Sequence, residues 1–263
     1  MNDTPNKKVV LCFSGLDSTG GAGIQADIEA IAAQGAHAAP VITALTVQDT
    51  QNVTQFSPVA ADIIIQQARA VLEDMPVAAI KIGMLGDVSV VEAIHSILVD
   101  YPRLPVIFDP VLAAGGGGSL ASDQLIEAIT SLILPQCFLL TPNTLELHAL
   151  AREADTDAAA AMALLSLGCE YVLVTGSHAD TRDVKHQLYG NHRCLNSYSV
   201  ERLSHEYHGS GCTLSAATAA LVAQGHDITQ SIHRAQDYTW HTLQQAQRLG
   251  MGQFIPDRFY WNR

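Results

Sequence analysis

Short apolar runs alternate with longer helical stretches along most of this chain, and no other feature of the sequence constrains the fold as strongly. Five runs are apolar and bounded by turn residues, as the buried strands of a parallel sheet are. The alternation predicts an α/β fold, in which a mostly parallel central sheet carries crossover helices on both faces. The predicted strands are 9–13, 78–82, 106–108, 138–140 and 171–174, and the predicted helices are 22–33, 60–73, 88–99, 123–132, 144–153, 157–166, 211–223 and 228–249. Residues 187–200 are predicted to form a hairpin that turns at Gly190-Asn191.

The composition is that of a protein with a large interior. Hydrophobic residues make up 48% and charged residues 15% of the 263 residues, which argues against disorder. No linker or repeat interrupts the sequence, so we expect a single domain over residues 1–263. The net charge of −12 repels nucleic acids and anionic membranes, so an anionic substrate must be captured locally by backbone amides.

Cysteine usage and the absence of long apolar segments indicate a cytoplasmic protein. The five cysteines are odd in number and widely spaced, with no CxxC pair, so neither a disulfide framework nor a zinc site is expected. The N-terminus lacks the apolar length of a signal peptide, and no segment reaches the roughly 20 apolar residues of a membrane span.

Several unusual loops follow the predicted strands. They are residues 15–23, 83–86, 109–118, 141–143 and 175–176. Loops after the carboxyl ends of parallel strands line the ligand crevice of such sheets, so these loops are expected to meet on one rim.

The strongest candidate for chemistry is the stretch from His208 to Cys212, which precedes an Ala/Leu-rich helix. Free amides and the positive end of the helix dipole at Gly209, Ser210 and Gly211 would bind phosphate or another anion. Cys212 is a small core residue, a nucleophile, or a polar group beside a reacting hydroxyl. The core interpretation ranks last, because a helix N-terminus favours the thiolate.

Three further features of the sequence can each be interpreted in two ways. Residues 14–23 are glycine-rich but fit neither a Walker A nor a dinucleotide fingerprint, and a flexible turn explains them equally well. Asp27, in the first turns of a helix, either favours the dipole or reaches a ligand. Gln48 either reads the edge of a heteroaromatic ring or is a surface loop residue.

An acidic pair is predicted on the same rim. Asn143 and Glu146 have the spacing of a helix-capping box, and Glu146 is also suited to organise hydrated Mg2+. These two roles are compatible. Asp109, directly after a predicted strand, is a second acid there.

Six short segments form an ordered pattern through most of the chain. Residues 20–27 read GGAGIQAD, 41–46 VITALT, 81–85 KIGML, 109–111 DPV, 141–143 TPN and 209–215 GSGCTLS. Together they resemble the hydroxymethylpyrimidine and phosphomethylpyrimidine kinases of thiamine synthesis, from about residue 9 to residue 224. These enzymes belong to the ribokinase-like superfamily.

The resemblance implies a ribokinase-like fold, ATP and Mg2+ as co-substrate and cofactor, and a homodimer. The activity implied is transfer of the ATP γ-phosphoryl to 4-amino-5-hydroxymethyl-2-methylpyrimidine, then to its monophosphate. Matching motifs place Cys212 where many relatives carry a catalytic aspartate, beside the anion hole of Gly209, Ser210 and Gly211. The resemblance further implies pyrimidine contacts from Gly15, Asp27, Gln48, Met84 and Val111, nucleotide contacts from Asn143, Thr175 and Gly176, and metal contacts from Glu146 and Asp109.

The chain departs from the family pattern where relatives carry two lysines near the phosphates. Residues 175–178 read TGSH where many relatives have KGGH, and 113–118 read AAGGGG where they often have AKSG. The glycine-rich stretch is interpreted either as a lid that contributes amides or as a cause of weaker nucleotide binding. Whether both phosphorylations occur is left open.

Three alternative functions are retained. A pyridoxal or pyridoxine kinase of the same superfamily acts on a similar hydroxymethyl heteroaromatic, although residues 41–45 and Gln48 favour the pyrimidine. A cysteine-dependent hydrolase would use Cys212 and His208. A non-catalytic pyrimidine-binding sensor would explain the two missing lysines.

Overall fold

A sheet of nine strands organises the part of the chain that the computed structural model describes, residues 7–112, 121–176 and 182–262. The strand order is β3-β2-β1-β4-β5-β6-β7-β8-β9. The strands from β2 to β7 in that order are parallel, while β3 and the β8–β9 hairpin form antiparallel edges. The strands are β1 (Val9–Leu16), β2 (His37–Gln48), β3 (Val53–Pro58), β4 (Val77–Ile82), β5 (Val106–Phe108), β6 (Leu139–Leu140), β7 (Tyr171–Thr175), β8 (Asp183–Gly190) and β9 (Arg193–Glu201).

The predicted mostly parallel sheet is confirmed, and all five predicted strands are present. Strands β2 and β3 were not predicted from the sequence, because their residues alternate irregularly between exposed and buried and neither forms a continuous apolar run. The hairpin turn was predicted one residue too early. Asn191 and His192 carry the positive φ values of 48° and 53° at the turn, and Gly190 ends β8.

The helices match the predicted ones except at three C-terminal ends. They are α1 (Gly23–Ala33), α2 (Ala61–Asp74), α3 (Val88–Asp100), α4 (Asp123–Ala128), α5 (Thr144–Leu150), α6 (Asp157–Ser166), α7 (Ser210–Ala223) and α8 (Ile228–Gln244). Helix α4 continues as a π-helix over Ile129–Ile133, and α5 is three residues shorter than predicted. Helix α8 ends at Gln244 because the chain then turns back, and Gln247 pairs with Ile255.

The core consists of two apolar clusters, one on each face of the sheet. Strand β1 contributes Leu11 and Phe13 to one cluster and Val10 and Cys12 to the other, as the two-residue period of a strand requires. The second cluster contains most of α7, which is buried from residue 213 to residue 221. Packing on all sides therefore fixes the direction in which the N-terminus of α7 points.

No helix within the described ranges has the length and apolar character needed to cross a membrane.

Candidate active site

Strand order places a crevice at the carboxyl end of β1. Strand β2 lies on one side of β1 and β4 lies on the other, so the order in which strands join the sheet reverses at β1. Ligands of α/β proteins bind at the carboxyl ends of the strands where the strand order reverses in this way. The loops after β1, β4, β5, β6 and β7 all leave the sheet at this rim. The predicted convergence of these loops is confirmed.

Helix α7 begins at this rim, directly against the loop that follows β1. Gly209 is its N-cap with a φ of 77°, and a Cβ atom there would lie 2.1 Å from the Gly21 carbonyl oxygen. Only glycine fits so close an approach. The backbone N–H groups of Ser210, Gly211 and Cys212 begin the helix without intrahelical acceptors, at the positive end of its dipole. This geometry suits the predicted anion hole.

Cys212 lies beside Asp109, which follows β5. Burial and the charge of Asp109 raise the pKa of the Cys212 thiol to about 12, although the charge of Lys81 opposes the rise. Cys212 is therefore a neutral thiol near pH 7. The expectation that the helix N-terminus favours a thiolate is wrong here, because desolvation and the neighbouring carboxylate outweigh the helix dipole.

Asp109 and Glu146 form an acidic pair at the ends of β5 and β6. Burial and the charge of Asp109 raise the pKa of Glu146 to about 8, and burial also raises the pKa of Asp109. The capping box is confirmed, since the Glu146 N–H donates to Asn143 Oδ1 at 2.9 Å and the Asn143 N–H donates to Glu146 Oε2 at 3.0 Å. A divalent cation bound between Asp109 and Glu146 would neutralise these two carboxylates.

A complete metal cage is absent from the described residues, in which no group of three or more His, Cys, Asp or Glu side chains is arranged to hold an ion. Magnesium usually keeps several waters and binds through one or two carboxylates. The pair of Asp109 and Glu146 matches that requirement.

Thr175 and Asn143 meet at the ends of β7 and β6. They form a parallel bridge, and the Thr175 N–H donates to the Pro142 carbonyl oxygen at 2.8 Å. Gly176 follows Thr175 and packs against the backbone of Lys185. A Cβ atom on residue 176 would lie 2.1 Å from the Lys185 carbonyl oxygen. The structure therefore brings the predicted nucleotide residues together.

The predicted pyrimidine residues lie around the end of β1, with one exception. Gly15 lies against Met84, whose sulfur would be 3.2 Å from a Cβ atom at position 15. Gln48 ends β2 and donates from Nε2 to Thr46 Oγ1 at 2.5 Å, which leaves its carboxamide oxygen available as an acceptor. Val111 is half-buried in the loop after β5.

Asp27 is the exception, because it lies beneath the rim with no exposed surface. Lys81 Nζ is 2.8 Å from Asp27 Oδ1, and the Ser14 hydroxyl donates to Oδ2 at 2.5 Å. Its direct contact with the pyrimidine stays a prediction. The dipole interpretation is wrong, because α1 begins at Gly23 and its first turn contains no acid.

Lys81 is a buried cation whose role the sequence analysis missed. Burial disfavours its charge, yet Asp27, Cys212 and Asp109 together raise its pKa. Its signal in the sequence is a lysine within the otherwise apolar strand β4. A lysine in such a strand requires a buried carboxylate partner.

A second pair, between Asp17 and His208, was also missed. His208 Nε2 is 2.8 Å from Asp17 Oδ2 and joins the glycine loop, which we define as residues 17–22, to the start of α7. Burial opposes ionisation of Asp17, but hydrogen bonds from His208 and Thr19 lower its pKa to about 2. The 191 residues between the partners hide this pair from local sequence patterns.

Two predicted features lie outside the described residues. They are the whole glycine-rich stretch 113–118 and residues 177–178 of the segment that replaces KGGH. A cavity of about 520 Å3 lies between the glycine loop and the C-terminal segment, and none of the predicted site residues lines it.

The chain is similar to known proteins along most of its length. The family model described as phosphomethylpyrimidine kinase matches residues 17–257. The chain is 36% identical to the hydroxymethylpyrimidine/phosphomethylpyrimidine kinase of Salmonella typhimurium, over 93% of this chain and 94% of that protein. It is also 36% identical to the thiamine biosynthesis bifunctional protein ThiED of Geobacter sulfurreducens, over 92% of this chain, and spans half the length of that protein.

The fold is similar to a solved ADP complex of pyridoxal kinase from Bacillus subtilis. The TM-score is 0.87 at 25% sequence identity, over 97% of this chain and 99% of that one. The likeness confirms the predicted ribokinase-like α/β fold.

Proposed function

The chain belongs to the phosphomethylpyrimidine kinase family, and from that premise we propose that it phosphorylates 4-amino-5-hydroxymethyl-2-methylpyrimidine and then the resulting monophosphate. It is a kinase of thiamine biosynthesis that uses ATP. The observation that carries the proposal is the start of α7, where free amides, Cys212 and Asp109 lie on one rim beside Met84 and Gly15.

The amides at the start of α7 stabilise the phosphoryl group during transfer. Phosphoryl transfer depends mainly on alignment and on donors fixed in advance at the oxygens where charge develops. Ser210, Gly211 and Cys212 offer such donors on a helix that is buried along most of its length.

Cys212 orients the acceptor hydroxyl rather than removing its proton. A thiol with a pKa of about 12 is protonated at physiological pH and acts as a weak donor or a contact surface. The neutral thiol also disfavours the hydrolase alternative, which needs a thiolate nucleophile.

Asp109 and Glu146 are the residues that would hold Mg2+. Their raised pKa values reflect burial and a charge of like sign, which a divalent cation relieves. Bound Mg2+ supplies neutralisation of charge on the nucleotide phosphates. Asn143 and Thr175, joined at the ends of β6 and β7, would contact the nucleotide beside it.

The pyridoxal kinase alternative is supported by the fold similarity, and the pyrimidine assignment by the higher identity to pyrimidine kinases. Gln48 separates the two chemically. Its free carboxamide oxygen accepts a hydrogen bond from the exocyclic amino group that the pyrimidine carries and pyridoxal lacks.

Product analysis tests the proposal. The protein is incubated with ATP and Mg2+ and, separately, with the pyrimidine alcohol, its monophosphate or pyridoxal, and products are separated by ion exchange. We expect both pyrimidines to be phosphorylated and pyridoxal to react more slowly. Turnover with pyridoxal alone would replace the pyrimidine assignment, and tight pyrimidine binding without ATP consumption would indicate the sensor.

We also propose a homodimer in the cytoplasm. The family resemblance supports the dimer, and the five cysteines, all free thiols, support a reducing compartment. Light scattering on the purified protein would measure twice the 28.1 kDa mass of the chain.

A further inference from the structure

We infer that Arg258, near the end of the chain, is a positioning residue for phosphoryl transfer. Its guanidinium holds the glycine loop against the start of α7 and so fixes the anion hole. The inference rests on the proposed kinase function, since it assigns a role within that reaction. Nothing in the local sequence around position 258 indicates this role.

The guanidinium of Arg258 is buried and makes contacts to three elements of the structure. The residue is 1% exposed. Nη2 donates to the Gly21 carbonyl oxygen at 2.5 Å, and Nη1 donates to the Gly20 carbonyl oxygen at 3.4 Å. Nε donates to Thr213 Oγ1 at 3.0 Å, and Nη1 is 3.1 Å from a carboxylate oxygen of Glu29. One side chain therefore joins the glycine loop, α1 and α7.

Two of the groups that Arg258 contacts, the Gly21 carbonyl and the Thr213 hydroxyl, also contact Gly209 directly. The Gly21 carbonyl that accepts from Arg258 also lies against the Cα of Gly209, where there is no room for a side chain. On the other side, the Thr213 hydroxyl that accepts from Arg258 donates in turn to the Gly209 carbonyl oxygen at 2.8 Å. Gly209 is thus held from both sides by groups that Arg258 fixes.

The left-handed conformation of Gly209 makes this support important. Its φ of 77° sets the direction in which the following amides of Ser210 and Gly211 point. Glycine is free to adopt other conformations, so neighbouring groups must hold this one. Misplacement of catalytic donors by about 1 Å can lower a rate on the order of 10²-fold.

The planar fork of arginine is required at this position. Four acceptors on three elements surround the group, and a lysine ammonium offers three donors from one point. The Arg258 backbone is itself anchored, because the Tyr238 hydroxyl donates to its carbonyl oxygen at 3.0 Å. The side chain therefore reaches the glycine loop from a fixed base.

The test compares Arg258→Lys and Arg258→Ala with Glu29→Gln as a matched control. Glu29→Gln removes the ion pair with Arg258 but leaves its contacts to Gly20, Gly21 and Thr213 in place. We expect kcat to fall about 10²-fold in both Arg258 variants while KM for the pyrimidine changes less than about threefold, and kcat to stay near wild type in Glu29→Gln. Methylguanidinium should restore part of the activity of Arg258→Ala, because position 258 lines the 520 Å3 cavity.

Hydrogen exchange provides a readout that does not depend on activity. The His208 and Thr213 amides, which donate to the Phe254 and Gly209 carbonyl oxygens, should exchange at least about tenfold faster in Arg258→Lys than in Glu29→Gln, since only the first loosens the start of α7. If Arg258→Ala fails to fold, kcat and hydrogen exchange are measured in Arg258→Lys and Thr213→Val instead. Thr213→Val removes the link from Arg258 to Gly209 at constant side-chain volume, and is expected to lower kcat about tenfold.

Two outcomes would overturn the inference. Wild-type kcat in folded Arg258→Lys and Thr213→Val variants would make Arg258 a structural residue only, as would unchanged exchange of the His208 and Thr213 amides. Failure of the proposed function is recognised separately, because the wild-type protein would then phosphorylate neither pyrimidine while the exchange difference persisted.

Discussion

Two buried acidic regions lie at the rim or just beneath it, and their charges are neutralised in different ways. Beneath β1 and β4, Asp27 is paired with Lys81 and bonded to Ser14, so its charge is compensated within the protein. At the ends of β5 and β6, burial raises the pKa of Asp109 although the charge of Lys81 opposes the rise, and burial with the charge of Asp109 raises the pKa of Glu146. We call these the compensated and the uncompensated region.

The difference separates fixed structure from ligand capture. The compensated region holds a cation next to the anion hole at all times, and no ligand is needed to stabilise it. The uncompensated region is costly to ionise until a cation arrives. A bound metal and nucleotide would therefore relieve unbalanced charge at β5 and β6, while the ion pair of Lys81 and Asp27 is neutralised without a ligand.

Breaking the compensated region should have the largest effect. Lys81→Met leaves the Asp27 carboxylate buried without its partner, and we expect a loss of about 3–5 kcal/mol in the free energy of unfolding, measured by urea denaturation. The matched control is the double variant Lys81→Met/Asp27→Leu, which should recover most of the loss because no buried charge remains. A loss of under about 1 kcal/mol in the single variant would mean that Asp27 is not effectively buried.

Cys212 lies between the two regions, and its removal should have the next largest effect. We expect Cys212→Ala to lower kcat on the order of 10²-fold, equivalent to about 2.7 kcal/mol, with pyrimidine binding altered much less. Because the thiol pKa is raised to about 12, the wild-type rate should show no thiolate limb below about pH 10. Equal losses in kcat and in binding would show that the residue only shapes the pocket.

Removing one acid of the uncompensated region should act on the pH dependence of stability rather than on kcat. The pKa of Glu146 is about 8 in the folded state, above an unfolded value of about 4.3. Between these two pH values Glu146 is protonated in the folded state and ionised in the unfolded state. The contribution of Glu146 to stability is therefore complete below about pH 4.3 and is lost as the pH rises to about 8. The free energy of unfolding should fall by up to about 1.4 kcal/mol per pH unit.

Glu146→Gln tests this slope without disturbing the helix, because glutamine also completes a capping box. Urea titrations from pH 5 to pH 8 should show a shallower slope in the variant than in wild type. Millimolar Mg2+ should reduce the wild-type slope and leave the variant unchanged. Equal slopes in the two proteins would contradict the raised pKa of Glu146, and an equal response to Mg2+ would remove Glu146 from the metal site.

Residues that act through local geometry were predictable from the sequence. The glycines before α7, the capping box of Asn143 and Glu146, and the acid after β5 each lie within a few residues of the element that positions them. Lys81 was visible as an anomaly in β4 but had no identifiable partner. Its partner Asp27 lies 54 positions away, and only the packing of α1 against the sheet brings the two together.

By itself, the sequence determined the layered α/β architecture and the rim on which the site lies, because strand and helix periodicities and turn residues are local properties of the chain. Only the tertiary structure decided which charges are compensated. Desolvation and distance set the pKa values of Cys212, Asp109 and Glu146, and both depend on neighbours from other elements. Arg258 shows the same limit, since its four acceptors lie 45 to 238 residues away along the chain.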